Sequence, residues 1–64
     1  MRPLKVIHRR YGTGWLFSVP TLPGVEGGGR SYEDSVEAAV HAVRQHFAAR
    51  GGEPPPLEHE VTED

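Results

Sequence analysis

The sequence predicts an α+β domain in which a small antiparallel sheet is covered by one helix. Two segments rich in β-branched and aromatic residues, 4–11 and 15–20, alternate as strands do. One strongly amphipathic segment follows, from about residue 32 to residue 50. Sixty-four residues without cysteine allow one domain, and its small core has neither a disulfide nor a thiolate metal site to stabilise it.

The first two strands are expected to form a hairpin. The segment Gly12-Thr13-Gly14 lies between them, and its glycines can adopt the positive φ that a tight hairpin turn requires. In the second strand Trp15, Phe17 and Val19 share one face. We expect this face to lie in the core because two of its members are large aromatic residues.

A corner and a glycine run follow the second strand. Pro20 and Pro23 end it, because proline cannot donate a hydrogen bond to a sheet. Residues 25–30 contain three consecutive glycines, and composition alone leaves three interpretations. They are a flexible loop, a short third strand that another backbone approaches closely, and a phosphate-binding loop. The third lacks support, because the run has neither a Lys-Ser/Thr end nor Gly-x-Gly-x-x-Gly spacing.

The helix has clear start and end signals. Ser31 can cap the first turn, and Asp34 occupies the capping-box position where Glu or Gln is commoner. Gly51 suits the position just past the helix end. The apolar stripe comprises Tyr32, Val36, Ala39, Val40, Val43 and Phe47. Together with the second strand it predicts a core of Trp15, Phe17, Val19, Val36, Val40, Val43 and Phe47.

Charge divides the chain into two parts. The net charge is −2, but residues 1–52 carry 7 − 4 = +3 and residues 53–64 carry −5. We therefore expect a domain over 1–52 and a proline-rich acidic tail over 53–64, which either adds an edge strand or is disordered. The basic start can contact nucleic acid and the acidic tail can contact a basic protein; alternatively the two neutralise each other.

The histidines are the conventional candidates for acid–base or metal chemistry. On the helix, His41 and His46 are five positions apart and diverge, so they cannot bind one metal as an i, i+4 pair would. We interpret all four as solvated surface residues: His8, His41, His46 and His59. The sequence accordingly predicts no metal site and no cofactor.

The acidic residues and serines do not form a catalytic pattern. Glu33, Asp34 and Glu37 lie in the first helical turns, where they complement the positive end of the helix dipole. Ser31 and Ser35 have no evident His/Asp partners that would activate a nucleophile. We therefore do not expect an enzyme.

Size and hydropathy bear on the setting of the protein. No segment approaches the roughly 18 apolar residues of a membrane span, and no signal-peptide pattern follows Met1. These features predict a cytoplasmic protein that does not associate with membranes. A small core and exposed sheet edges further predict a homodimer or a higher homo-oligomer.

Several motifs resemble HicB-type antitoxins over residues 4 to about 56. The Val19-Pro20-Thr21-Leu22-Pro23-Gly24 corner is followed by Ser31-Tyr32-Glu33-Asp34 at the helix start. Further matching segments are Gly14-Trp15, Gly29, Ala38-Ala39 and Gly52-Glu53-Pro54-Pro55-Pro56. The resemblance implies a β-β-β-α(-β) unit with a partial ribonuclease-H-like fold. It also implies that residues 25–30 form a strand and that an edge strand lies near residues 58–62.

The resemblance implies a function through protein–protein contact. Members of this family typically neutralise a small basic ribonuclease toxin of the HicA type by binding it directly, and many add a C-terminal DNA-binding domain. This sequence ends at Asp64, so we expect a form that lacks such a domain. Thr21 replaces the usual family acid after Pro20, so no catalytic site is inferred from the family.

Candidate partner-binding residues are apolar residues expected to be exposed, the proline–glycine corner and the acidic tail. They are Leu16, Leu22, Pro23, Gly24, Glu58 and Glu60. The alternative function is a stand-alone nucleic-acid-binding or regulatory module that uses Arg2, Lys5, Arg9 and Arg10. We do not expect autonomous DNA binding, because Trp15 fits the core and the helix is needed to cover the sheet.

Overall fold

The computed structural model describes residues 2–62, which form four strands and one helix. The elements are β1 (Leu4–Tyr11), β2 (Gly14–Ser18), β3 (Glu26–Gly29), α1 (Tyr32–Ala48) and β4 (Leu57–Thr62). The predicted α+β class and the order β-β-β-α-β are confirmed. The helix ends two residues earlier than predicted, and Gly51 then adopts a left-handed φ of 75°.

The sheet is mixed, with strand order β3-β2-β1-β4. The β1–β2 and β2–β3 pairs are antiparallel, whereas β4 runs parallel to β1. The prediction of an antiparallel sheet is therefore wrong for β4. After β3, the chain returns along α1 on one face of the sheet and enters β4 from the end at which β3 began. A strand reached by such a crossover runs in the same direction as the strand before it.

A two-residue turn joins β1 to β2. Tyr11 pairs with Gly14, so only Gly12 and Thr13 lie in the loop. Gly12 has a φ of 60° while Thr13 keeps a negative φ, which is the pattern of a type II′ turn. The predicted hairpin is confirmed.

The glycines of β3 allow the start of α1 to lie directly on the sheet. A Cβ atom at Gly27 would stand 2.9 Å from the Phe17 ring, and one at Gly29 would stand 2.6 Å from Asp34 Cβ and 2.8 Å from the Ser35 nitrogen. Glycine at these two positions leaves room for the Phe17 ring and for the helix backbone. The glycine run pairs with β2 as an antiparallel strand, so the loop interpretation is wrong.

The core lies between α1 and the sheet face that it covers. Its buried apolar residues are Val6, Phe17, Val19, Ala39 and Val43. Four further predicted core residues are only half-buried: Trp15, Val36, Val40 and Phe47. The buried side of α1 is instead centred on Ser35, Ala39 and Val43, because the small residues Ser35 and Ala39 let the helix approach the sheet.

The glycine contact predicts a stability difference between two alanine variants. Gly29→Ala should lower the free energy of unfolding by about 1–3 kcal/mol, the usual cost of overpacking, because the new methyl group would meet helix backbone. Gly52→Ala is the control, since a Cβ there would meet nothing within 4 Å. Urea unfolding of both variants checks this prediction, and equal midpoints would contradict it.

Candidate functional site

His8 lies at the centre of a polar cluster beneath the helix. Because side chains alternate along β1, Val6 and His8 face α1 and are fully buried. The Nδ1 atom of His8 is 2.8 Å from Ser35 Oγ in the first turn of α1, and the Nε2 atom of His8 is 2.8 Å from His59 Nδ1 on β4. These three residues, Ser35, His8 and His59, are called the histidine–serine cluster below.

The two hydrogen bonds of His8 must run in one direction. A neutral imidazole has one N–H donor and one acceptor nitrogen. Either Ser35 Oγ donates to His8 and His8 donates to His59, or His59 donates to His8 and His8 donates to Ser35. Both arrangements satisfy both ring nitrogens of His8, and no buried side-chain nitrogen or oxygen in the described residues lacks a partner.

The electrostatics of the cluster favour a neutral His8. Burial lowers the pKa of His8 below its ordinary value of 6.5, and positive charge on the neighbouring His59 lowers that pKa further. Two cationic rings do not fit, since two N–H donors would then face each other across 2.8 Å.

Aromatic rings enclose the cluster. Tyr32 meets His8 edge-on at a centroid distance of 5.1 Å, and Trp15 meets Tyr32 in the same way at 5.5 Å. Phe17 lies on a third side, with its ring centroid 6.4 Å from that of His8. The cluster thus links β1, β4 and α1 within a largely apolar pocket.

Sequence reasoning missed this cluster. The prediction that His8 is a solvated surface residue is wrong, and His59 is half-buried. The statement that Ser35 lacks a histidine partner is also wrong. One signal was present in the sequence: His8 follows Leu4 and Val6 at strand spacing, and Ser35 precedes Ala39 by one helical turn.

The cluster resembles an activated nucleophile in composition but not in access. A serine hydroxyl within hydrogen-bond distance of a histidine can be activated for nucleophilic attack. Ser35 has no exposed surface, however, so a substrate carbonyl cannot reach its Oγ in this conformation. The geometry supports a structural role, in which the hydroxyl satisfies His8 and holds the helix start to β1.

The two helix histidines have separate surroundings. His41 lies 3.1 Å from the Gln45 amide nitrogen, and His46 lies 3.4 Å from the Arg50 guanidinium. Residues 2–62 contain no group of three or more histidine or acidic side chains placed to hold a metal ion.

The predicted apolar contact residues lie in different environments. Leu16 is 39% exposed on the face of the sheet turned away from α1, called the open face below. Pro23 and Gly24 are exposed at the corner, where Gly24 has a φ of 92°. Leu22 is half-buried and packs against the core, so the expectation that it is exposed is wrong. The corner turns inward at Leu22 because its N–H donates to Val19 O.

The charged candidates also lie largely on the open face. Glu58 and Glu60 are exposed on β4, and Glu60 forms a salt bridge of 3.5 Å with Lys5 on β1. Arg9 lies on the same face as Lys5, whereas Arg10 lies on the opposite face.

The basic residues do not form a separate patch. Arg2 is exposed before β1 begins, and the other three divide between the two faces of that strand. On the open face, Lys5 and Arg9 lie beside the acidic residues Glu58 and Glu60 of the adjacent β4, and Glu26 lies two strands away on β3. The field of this face is therefore mixed, which is unfavourable for following a phosphate backbone.

The buried hydroxyl predicts the effect of its removal. Ser35→Ala should lower the free energy of unfolding by about 1–3 kcal/mol, because one nitrogen of His8 would lose its partner in a buried site. Ser18→Ala, on the open face, should change it by less than about 0.5 kcal/mol. Chemical denaturation of both variants tests this prediction. An unchanged free energy of unfolding in Ser35→Ala would show that the hydrogen bond does not stabilise the fold.

Acidification should destabilise the domain through His8. Because the folded-state pKa is lowered, the unfolded chain binds more protons between that pKa and 6.5. The stabilisation is complete above pH 6.5 and is lost as the pH falls from there to the folded-state pKa. Urea unfolding on both sides of pH 6.5 measures this change.

A matched pair of histidine variants separates the cluster from other titrating groups. His8→Gln should flatten the pH dependence, and exposed His41→Gln should retain it. The same slope in both variants would contradict the role assigned to His8.

Comparisons with known proteins add no relative. Neither the protein-family models, nor the curated proteins, nor the solved structures contain a match to this chain. Within residues 2–62 the structure has no helix that is long and apolar enough to cross a membrane.

Proposed function

We propose that this protein is a HicB-like antitoxin module that neutralises a small basic ribonuclease toxin by direct binding. The observation that supports binding best is the open face, which no element of residues 2–62 covers. A depression of about 440 Å³ crosses this face. Leu16 and Ile7 lie within it, and charged residues surround them, as in an interface with an apolar centre and a polar rim.

The HicB-like part of the proposal is supported by where the motif residues lie. The glycine strand lies against the start of α1, and Ser31 Oγ accepts a hydrogen bond of 3.1 Å from the Asp34 N–H. The Leu22-Pro23-Gly24 corner joins β2 to β3. Each motif therefore has a packing or turn role in a β-β-β-α-β unit, the order that the resemblance implies. A partial ribonuclease-H-like fold is part of this proposal.

Charge supports a basic partner. The open face carries Lys5 and Arg9 against Glu26, Glu58 and Glu60, which gives 2 − 3 = −1, and β4 supplies two of these acids. A toxin that binds RNA presents a basic surface. Opposite charges would accelerate encounter, while apolar contact at Leu16 would slow dissociation.

We also propose that free copies form a homodimer through the open face, where both signs of charge can pair.

The test is co-expression with the small reading frame next to this gene. We expect a small basic protein to co-purify and Leu16→Ala to weaken the complex about tenfold, equivalent to 1.4 kcal/mol. Gln45→Ala, on the exposed side of α1, is the control and should bind like the parent. Light scattering of the free protein measures its mass in solution and so distinguishes a homodimer from a monomer.

The rival function has a different outcome in the same preparation. A stand-alone nucleic-acid-binding module would bind RNA or DNA alone, with an affinity that falls steeply as salt rises. If that occurs and no basic protein co-purifies, the antitoxin proposal is wrong.

A further inference from the structure

The strand β4 forms one edge of the sheet and leaves a row of backbone groups unpaired. The Leu4 N–H donates to Pro56 O at 2.8 Å, and Leu4 is in register with Leu57. In a parallel ladder of this register, alternate residues of β4 bond to β1, beginning with the Glu58 N–H. The residues between them, Leu57, His59 and Val61, therefore direct their N–H and C=O groups outward. No other element of residues 2–62 pairs with this edge.

The side chains of β4 give the edge two different faces. Leu57, His59 and Val61 lie on the helix side, and Val61 is 47% exposed. Glu58 and Glu60 lie on the open face. A partner strand added here would meet apolar side chains on one of its faces and carboxylates on the other.

A groove on the helix side extends the apolar face of the edge. It has a volume of about 290 Å³ and lies between α1 and the segment that leads into β4. Val40, Val43 and Arg44 line it from the helix, and Pro54–Pro56 and Leu57 line it from the other side. Strand addition combines main-chain hydrogen bonds with pockets for alternate side chains, and this groove borders the edge at Leu57.

The histidine–serine cluster fixes the position of the edge. His59 lies in the middle of β4, and its side chain bonds to His8, which Ser35 holds from the helix. The edge is therefore preorganised in the free protein, which reduces the conformational entropy lost when a partner binds.

A second copy of β4 fits this edge poorly. Antiparallel pairing of two copies about His59 would place Glu58 opposite Glu60 of a second copy, twice over on one face. Like charges directly opposite each other destabilise a strand pair. A strand with basic side chains at alternate positions has the complementary pattern.

We propose that β4 is a docking edge for an extended strand that is basic on one face and apolar on the other. This inference rests on the proposed function in one respect: the basic protein partner supplies the strand. Its residues would pair with Leu57, His59 and Val61 and continue the sheet beyond β4.

A peptide probe tests the edge without the natural partner. The probe is a short blocked peptide in which lysine alternates with valine, and the comparison peptide has glutamate in place of lysine. With the full chain, the lysine peptide should slow amide hydrogen exchange at Leu57, His59 and Val61. The glutamate peptide should bind at least about tenfold more weakly, because it would meet Glu58 and Glu60. Equal binding of both peptides, or protection elsewhere only, would overturn the proposal.

Two variants address the same edge, and the second has a matched control. Val61→Pro removes one outward N–H and leaves the bonds to β1 intact, so it should weaken the lysine peptide about tenfold. Replacing both carboxylates, Glu58→Gln together with Glu60→Gln, should weaken binding of the lysine peptide several-fold. This test does not require the Val61→Pro variant to fold. Neutralising Glu33 and Glu37 to Gln, on the helix, should have no effect. Unchanged affinity in the Glu58/Glu60 variant would contradict the proposal even if Val61→Pro failed to fold.

The natural complex separates this inference from the proposed function. If a basic protein co-purifies and binds the parent and both edge variants equally, the docking edge is wrong and the antitoxin proposal stands. If no basic protein co-purifies, the antitoxin proposal fails and the peptide result alone decides whether the edge binds strands. A dimer of this chain that Val61→Pro dissociates would assign the edge to a second copy and overturn the proposal.

Discussion

The fold depends on one buried imidazole that is satisfied from two directions. His8 is held by Ser35 from the helix and by His59 from β4, so one side chain of β1 joins three elements. A buried polar group with both partners supports a specific arrangement, whereas the same group with one partner missing is destabilising. The position of β4 and the start of α1 are thus linked through a single residue.

At the opposite edge of the sheet, the glycines of β3 let the start of α1 pack closely on the strands. At Gly29 the helix backbone occupies the space that a side chain would need. The close approach brings Ser35 down to the level of β1, where its hydroxyl meets His8. A glycine strand and a small-residue helix turn therefore act together, and the short distance between them makes the polar cluster possible.

Sequence reasoning identified those features that depend on local pattern. Alternation predicted β1 and the core face of β2, and Ser31 marked the helix start correctly. The direction of β4 depends on the path of the crossover, which local pattern does not encode. The cluster was missed because its members lie 27 and 51 positions apart in the chain. At the candidate site, Leu16 is exposed as predicted, whereas Leu22 packs inward.

The parallel pairing of β4 has a consequence for the order in which the molecule folds. Leu4 pairs with Leu57, a separation of 57 − 4 = 53 positions, whereas the β1–β2 turn closes over two residues. Contacts so distant in sequence carry a larger loop-closure cost than local ones. During folding the hairpin should therefore form before β4 pairs with β1, and until then the His8 ring lacks its His59 partner.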